Sequence, residues 1–114
     1  MGVVYHASYL IWFEAGRGHF FRALGQDYGQ WEAAGCVLPV SEAYARYHSP
    51  ARYGDLITVH TWVKELKSRS ITLAYEITHP DCTTTLATGW TKHLCVDREG
   101  SVRRLPSKLA ASLA

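Results

Sequence analysis

An α+β fold, with one long helix seated in the concave side of a curled antiparallel sheet, is the class this sequence predicts. Three observations carry the expectation. A helical apolar pattern opens the chain, a long strand pattern follows it, and three more strand patterns succeed one another with turn signals between them. Runs of strands after a helix indicate segregated α+β and not alternating βαβ units. The 114 residues are expected to form a single domain, 1–114.

The helix is predicted from about Ser8 to Leu24. Tyr9, Phe13, Gly16, Phe20 and Leu24 recur at helical spacing and make one apolar stripe. Ser8 is a suitable N-cap, since its hydroxyl can accept from an exposed N–H of the first turn. Gly25 is a suitable stop. Gly16 and Gly18 each cost about 1 kcal/mol relative to Ala in a helix interior. Gly16 lies on the stripe, which predicts close packing there, with a backbone elsewhere coming very near. Gly18 carries no such indication.

Asp27 to Ala34 reads as a short second helix ended by Gly35. Val37 to Tyr47 reads as one long strand, and Pro39 in it predicts a sheet edge or a bulge. Pro50, Gly54 and Asp55 mark a turn region. Leu56 to Glu65 is a second strand. Ser70 to Thr78 alternates most cleanly, with Ile71, Leu73, Tyr75 and Ile77 on one face. Thr84 to Val96 is a fourth, with Leu86, Trp90, Leu94 and Val96 expected on one face. Arg98-Glu99-Gly100 turns the chain, and Ser107 to Ala114 reads as a terminal helix.

Hydrophobic residues make up 47% of the sequence, enough for an ordinary core without disulfide or metal staples. The formal net charge of +2 argues against a nucleic-acid partner, which would call for a stronger basic bias. Cys36, Cys82 and Cys95 are odd in number and lack CxxC spacing, which argues against a disulfide framework and fits a reducing compartment. No basic stretch precedes an apolar run, so no signal peptide is read. The apolar run Tyr9–Phe13 is too short to span a bilayer. Met1-Gly2 lacks the Ser or Thr that myristoylation wants at the sixth residue, where His6 stands. A cytoplasmic protein without membrane insertion is expected.

General chemical motifs are sparse. His6, His19, His48, His60, His79 and His93 show neither HxH nor HExxH spacing, so no metal is expected. A GxSxG elbow and a phosphate-binding glycine loop are absent from the sequence, and no cofactor is expected.

The segment Gly2-Val3-Val4-Tyr5-His6-Ala7-Ser8-Tyr9-Leu10, continuing through Trp12-Phe13-Glu14 to Arg17, resembles the signature of the hotdog-fold acyl-CoA thioesterases related to 4-hydroxybenzoyl-CoA thioesterase. Tyr47-His48-Ser49-Pro50-Ala51-Arg52-Tyr53-Gly54-Asp55 is similar to that family's turn before the meander, and Lys67-Ser68-Arg69-Ser70-Ile71 to the hairpin that follows. The resemblance covers nearly the whole chain. It implies hydrolysis of acyl-CoA thioesters to free acid and CoA.

It also implies roles. A helix N-terminus presents unpaired N–H groups and a positive dipole end. Aimed at a thioester carbonyl, such a donor stabilises the oxyanion formed on attack. The resemblance places this donor at Tyr5-His6, with the His6 backbone N–H as the nearest match. Tyr9, Lys67, Arg69 and Ser70 are the implied substrate contacts. Ammonium and guanidinium groups bind phosphates, so the basic hairpin Lys64, Lys67 and Arg69 is a candidate anchor for CoA, with Arg103 and Arg104 as a second.

The family's pattern carries its nucleophilic or general-base Asp two residues ahead of the position of Met1, after a β-strand. The sequence as it stands is therefore expected to be an N-terminally short form with impaired hydrolysis, lacking the first strand. It is either truncated or a relative that has lost the catalytic group. Glu14 is the one local substitute carboxylate, although an i,i+3 pair with Arg17 is its simpler role. The alternative function is non-catalytic binding of an acyl-CoA or acyl-carrier thioester. A hotdog dehydratase would need a facing His and carboxylate, which the Gly2–Leu24 region does not offer. The resemblance also implies a homodimer or a dimer-of-dimers tetramer, and an unpaired edge at Val37–Tyr47 would favour self-pairing.

Overall fold

The computed structural model describes residues 7–25, 31, 33, 35–52, 54–81 and 84–113. Among these, helix α1 spans Ala7–Ala23, strands β1 to β4 span Val40–Tyr47, Thr58–Leu66, Ser70–Thr78 and Thr85–Leu94, and helix α2 spans Ser107–Leu113. The strands form one sheet in the order β1-β4-β3-β2, with every neighbouring pair antiparallel. The meander and the edge position of β1 are as expected. The expected helix over Asp27 to Ala34 lies mostly outside the described residues, although Trp31 and Ala33 are helical.

Helix α1 starts a residue early, so Ser8 is inside the helix and is not its N-cap. Gly25 does end it. Its φ is 75°, and its N–H donates to the Arg22 carbonyl at 3.0 Å. Glycine adopts that left-handed conformation without a Cβ clash. Of the expected stripe, Tyr9 and Phe13 are buried, and Phe20 is half-buried. Leu24 is 39% exposed, while Phe21, outside the stripe as read, is 1% exposed. The helix has ended by Leu24, and the Phe20-Phe21 pair turns its second ring inward instead.

The helix packs on the face of β3 that carries Ile71, Leu73, Tyr75 and Ile77, none more than 1% exposed. Phe13 stacks on Tyr75 with ring centroids 4.6 Å apart and planes 9° apart. Two glycines permit this seating. A Cβ on Gly89 of β4 would meet the Phe13 ring at 2.6 Å and the Tyr44 carbonyl. A Cβ on Gly16 would meet Thr61 Oγ1 and Val59 Cγ1 of β2, each at 2.7 Å. The close packing expected at Gly16 is therefore present, but it is made by side chains and not by a neighbouring backbone.

The expected strand Val37 to Tyr47 is interrupted. Val37 makes an isolated bridge with Val96, and the ladder resumes at Val40, past Pro39, with a register shift between Val40 and Glu42. Leu56 to Glu65 is shifted to Thr58–Leu66. The face assigned to β4 needs correction. Ile77 pairs with Ala87 but Thr78 pairs with Thr85, so Leu86 is an extra residue in the ladder. Such a bulge changes the phase of alternation. Leu86 is fully buried, yet Trp90 beyond it aligns with Ala74, Tyr44 and Trp62 on the sheet's other face. The positions of β4 that share the helix-side face of Ile71, Leu73, Tyr75 and Ile77 are His93, Thr91, Gly89 and Ala87.

Candidate active site

The start of α1 rests on a turn held from two sides. The Ala51 N–H donates to the Tyr9 hydroxyl at 3.0 Å, a buried contact across 42 residues. The bulged Leu86 carbonyl accepts from the N–H groups of His48 and Ser49 at 2.9 and 3.1 Å. Tyr9 also packs edge-on against Trp12 at 4.9 Å and Tyr47 at 5.0 Å between centroids. Tyr47 is 46% exposed and Trp12 half-buried, so aromatic surface remains open beside the helix start. Trp12 and Tyr47 had not been singled out as site residues. Their signal was their place inside the two segments that carry the resemblance.

Tyr5 and His6 lie outside the described residues; they directly precede Ala7, where α1 begins. Tyr9 is 3% exposed, and its hydroxyl holds the turn. Glu14 does pair with Arg17, at 2.7 Å. That carboxylate is occupied by a guanidinium and sits two turns along the helix from its start.

Arg17 leads inward. It donates to the Leu38 carbonyl at 3.3 Å and to His93 Nδ1 at 3.1 Å. Nδ1 lies 3.1 Å from the Leu38 carbonyl as well, which can only accept, whereas the Arg17 guanidinium can only donate. On the other side of the ring, Nε2 hydrogen-bonds with Thr91 Oγ1 at 2.8 Å. Thr91 Oγ1 in turn shares a 2.6 Å hydrogen bond with the Tyr75 hydroxyl. His93 is fully buried. Burial lowers its pKa first and the Arg17 charge lowers it further, against the opposing pull of the Leu38 carbonyl and Glu14. His93 is thus neutral at pH 7 and links helix, sheet and the Leu38 segment.

The basic hairpin is elsewhere. Lys67 donates its backbone N–H to the Ser70 carbonyl at 2.9 Å, and its ammonium pairs with Glu65 at 3.1 Å. Lys67 and Arg69 are exposed, while Ser70 is 5% exposed. Ser70 pairs with Leu94, whereas Tyr47 pairs with Ala87, which pairs with Ile77. From Ser70 to Ile77 along β3 is roughly 23 Å at about 3.3 Å per residue. Within one chain, the hairpin and the start of α1 are therefore at opposite ends of the sheet. Lys64 lies over the Trp90 ring at 5.3 Å from its centroid, and Arg103 pairs with Asp97 at 2.8 Å. Between the second half of α1 and β2 opens a mostly apolar cleft of about 340 Å³, lined by Ala15, Gly16, His19, Phe20, Ala23, Val59 and Thr61.

The sequence matches the Thioesterase-like superfamily over residues 1–113. The chain belongs to that family. YneP of Bacillus subtilis, provisionally named an acyl-CoA thioesterase, is 35% identical over 99 residues, which is 87% of this chain and 71% of YneP. Among solved structures, a Thermus thermophilus protein of unassigned function, TT1821, superposes with a TM-score of 0.89 at 35% identity, covering 99% of this chain and 85% of the other. The DHNA-CoA thioesterase of Staphylococcus aureus superposes with a TM-score of 0.90 at 28% identity, covering 98% and 77%. The fold is the hotdog fold, the curled antiparallel sheet around a long helix that the sequence implied. Among the described residues, no helix is long and apolar enough to cross a membrane, and no group of three or more His, Cys, Asp or Glu is placed to hold a metal.

Proposed function

We propose that this protein hydrolyses acyl-CoA thioesters to the free acid and CoA, at the start of α1. The observation that carries the reading is the seating of that helix start. It is fixed by the Tyr9–Ala51 and Leu86–His48 hydrogen bonds beside open aromatic surface, in a chain of the thioesterase family. Helix N-termini supply unpaired donors, and the His6 backbone N–H is the proposed oxyanion donor, with Tyr5 beside it. The names of YneP and of the Staphylococcus enzyme support an acyl-CoA substrate.

Glu14 is proposed to be a structural partner of Arg17 and not the attacking or activating carboxylate. The engagement of Glu14 also favours a second reading, a protein that binds acyl thioesters without cleaving them. The decisive assay measures CoA release from an acyl-CoA panel by this chain and by its Glu14→Gln variant. Release by both forms supports the first reading. Loss of release in a folded Glu14→Gln protein makes Glu14 the working carboxylate, and binding without release in both supports the second.

We further propose a cytoplasmic homo-oligomer. Seven of the eight β1 residues are exposed although the strand belongs to a curled sheet, which fits cover from a second copy. Because hairpin and helix start are at opposite ends of one sheet, Lys67 and Arg69 are proposed to reach the CoA phosphates only where a neighbouring chain brings them near, with Ser70 bracing the hairpin.

A further inference from the structure

We propose that Cys36 and Cys95 form a reversible disulfide, a redox-modification site that pins the segment leading into edge strand β1 to the residue that follows β4. The two Sγ atoms are 2.8 Å apart, and the residues are 59 positions apart in sequence. Both cysteines are free, at 3% and 0% exposure. The backbone already holds them in place. Val37 and Val96 exchange both hydrogen bonds of an antiparallel bridge, at 2.8 and 2.9 Å. Side chains alternate across strands, so Cys36 and Cys95, one residue before each member of that bridge, fall on the same face. The 2.8 Å between the two Sγ atoms is less than 1 Å beyond the about 2.05 Å of a disulfide.

Access favours one order of events. Cys36 borders a cleft of about 660 Å³ lined also by Asp97, Arg103 and Ser107, whereas Cys95 is wholly enclosed. A small peroxide entering the cleft is attacked by the Cys36 thiolate, which becomes a sulfenic acid as the O–O bond breaks and hydroxide leaves. The Cys95 thiolate then attacks the Cys36 sulfur and expels the second oxygen as hydroxide. The two thiol protons end on these hydroxides. In sum, two thiols and one hydrogen peroxide give one disulfide and two waters. Burial, together with the neighbouring Cys95, pushes the Cys36 thiol up to about 12. The thiolate is the reacting form, so closure should be slow at neutral pH and quicken as pH rises.

The consequence is mechanical. Strand β1 is an edge strand paired only with β4 among the described residues, and nearly all of it is exposed. The segment between Cys36 and β1 also carries the Leu38 carbonyl to which Arg17 donates. A bond at Cys36 fixes both.

The test uses the full reduced chain treated with stoichiometric hydrogen peroxide at rising pH. The expected product loses the mass of two hydrogen atoms, and a non-reducing peptide map joins Cys36 to Cys95. It melts higher by roughly 5 °C or more, reversed by dithiothreitol. Cys82→Ser should leave this unchanged, and Cys95→Ala should abolish it. Oxygen addition without a link, or a link through Cys82, would overturn the site. A linked product with an unchanged or lower melting temperature would overturn the pinning. If Cys95→Ala fails to fold, the peptide map of the unmutated chain decides alone.

Discussion

His93 shows how one side chain ties the molecule to pH. Its pKa lies below 6.5 in the folded state because the ring is enclosed and faces Arg17, with Glu14 and the Leu38 carbonyl pulling the other way. The unfolded chain therefore binds the proton first. Stability from this group is fully present above pH 6.5 and declines as pH falls from there through the folded value, with a slope of at most about 1.4 kcal/mol per pH unit. Denaturant titrations between pH 7 and pH 5 should show that decline, and His93→Gln should flatten it. Identical profiles for the two proteins would contradict the assignment. At the helix surface the stakes are smaller. Glu14→Gln removes an i,i+3 pair and should cost about 0.2–0.5 kcal/mol while leaving thioester turnover untouched. Loss of turnover in a folded Glu14→Gln protein would make Glu14 the working carboxylate. The Glu14–Arg17 pair was legible because both partners lie on one helix. The chain from Arg17 to His93 joins residues 76 apart, and Cys36 meets Cys95 across 59, so no local pattern could announce either.

Elements were legible where one periodicity ruled. Strand β3 has the expected bounds and buried face, because strict alternation and flanking turns agree. In β4 the same rule put Trp90, Leu94 and Val96 with Leu86, and failed because a bulge resets the phase without any Gly or Pro to mark it. The helix was found, but Phe21 and Leu24 were exchanged, since a 3.6-residue period leaves both of two adjacent rings plausible near its last turn. The start of α1 and the turn that supports it were both legible as motifs, but the hydrogen bonds that fasten the turn to the bulged strand and to Tyr9 were not. The two helical glycines give a paired measurement. Gly18→Ala meets only the flexible end of Arg22, at 3.2 Å. It should gain up to about 1 kcal/mol from helix propensity. Gly16→Ala gains the same propensity but drives a methyl into Val59 and Thr61. Overpacking costs about 1–3 kcal/mol, so the net change should be a loss of up to about 2 kcal/mol. Thermal melts of both variants would show opposite signs. A stabilised Gly16→Ala protein would mean that α1 sits less tightly on β2.

At the scale of the whole molecule, the sheet has, among the described residues, a long edge at β1 with almost no protection. An unpaired edge is a template for another strand, and β1 also exposes Val40, Tyr44 and Tyr47. Sedimentation at micromolar concentration should therefore give a dimer or a larger even assembly. Amide exchange in β1 should slow as concentration rises while that in β3 stays constant. A clean monomer with concentration-independent exchange would remove the second copy and leave the basic hairpin without a route to the helix start.

The bulge at Leu86 has a consequence for how chains of this fold can differ in length. Excising that single residue would put Thr85 and Ala87 next to each other, opposite Thr78 and Ile77, and the β3–β4 ladder would run without interruption. The shorter protein would own the more regular sheet. It would also lose the carbonyl that receives His48 and Ser49, and with it one of the two fastenings beneath the start of α1. A one-residue gap here, invisible to any count of strands or helices, would thus separate chains that keep the shape from chains that keep the helix start seated.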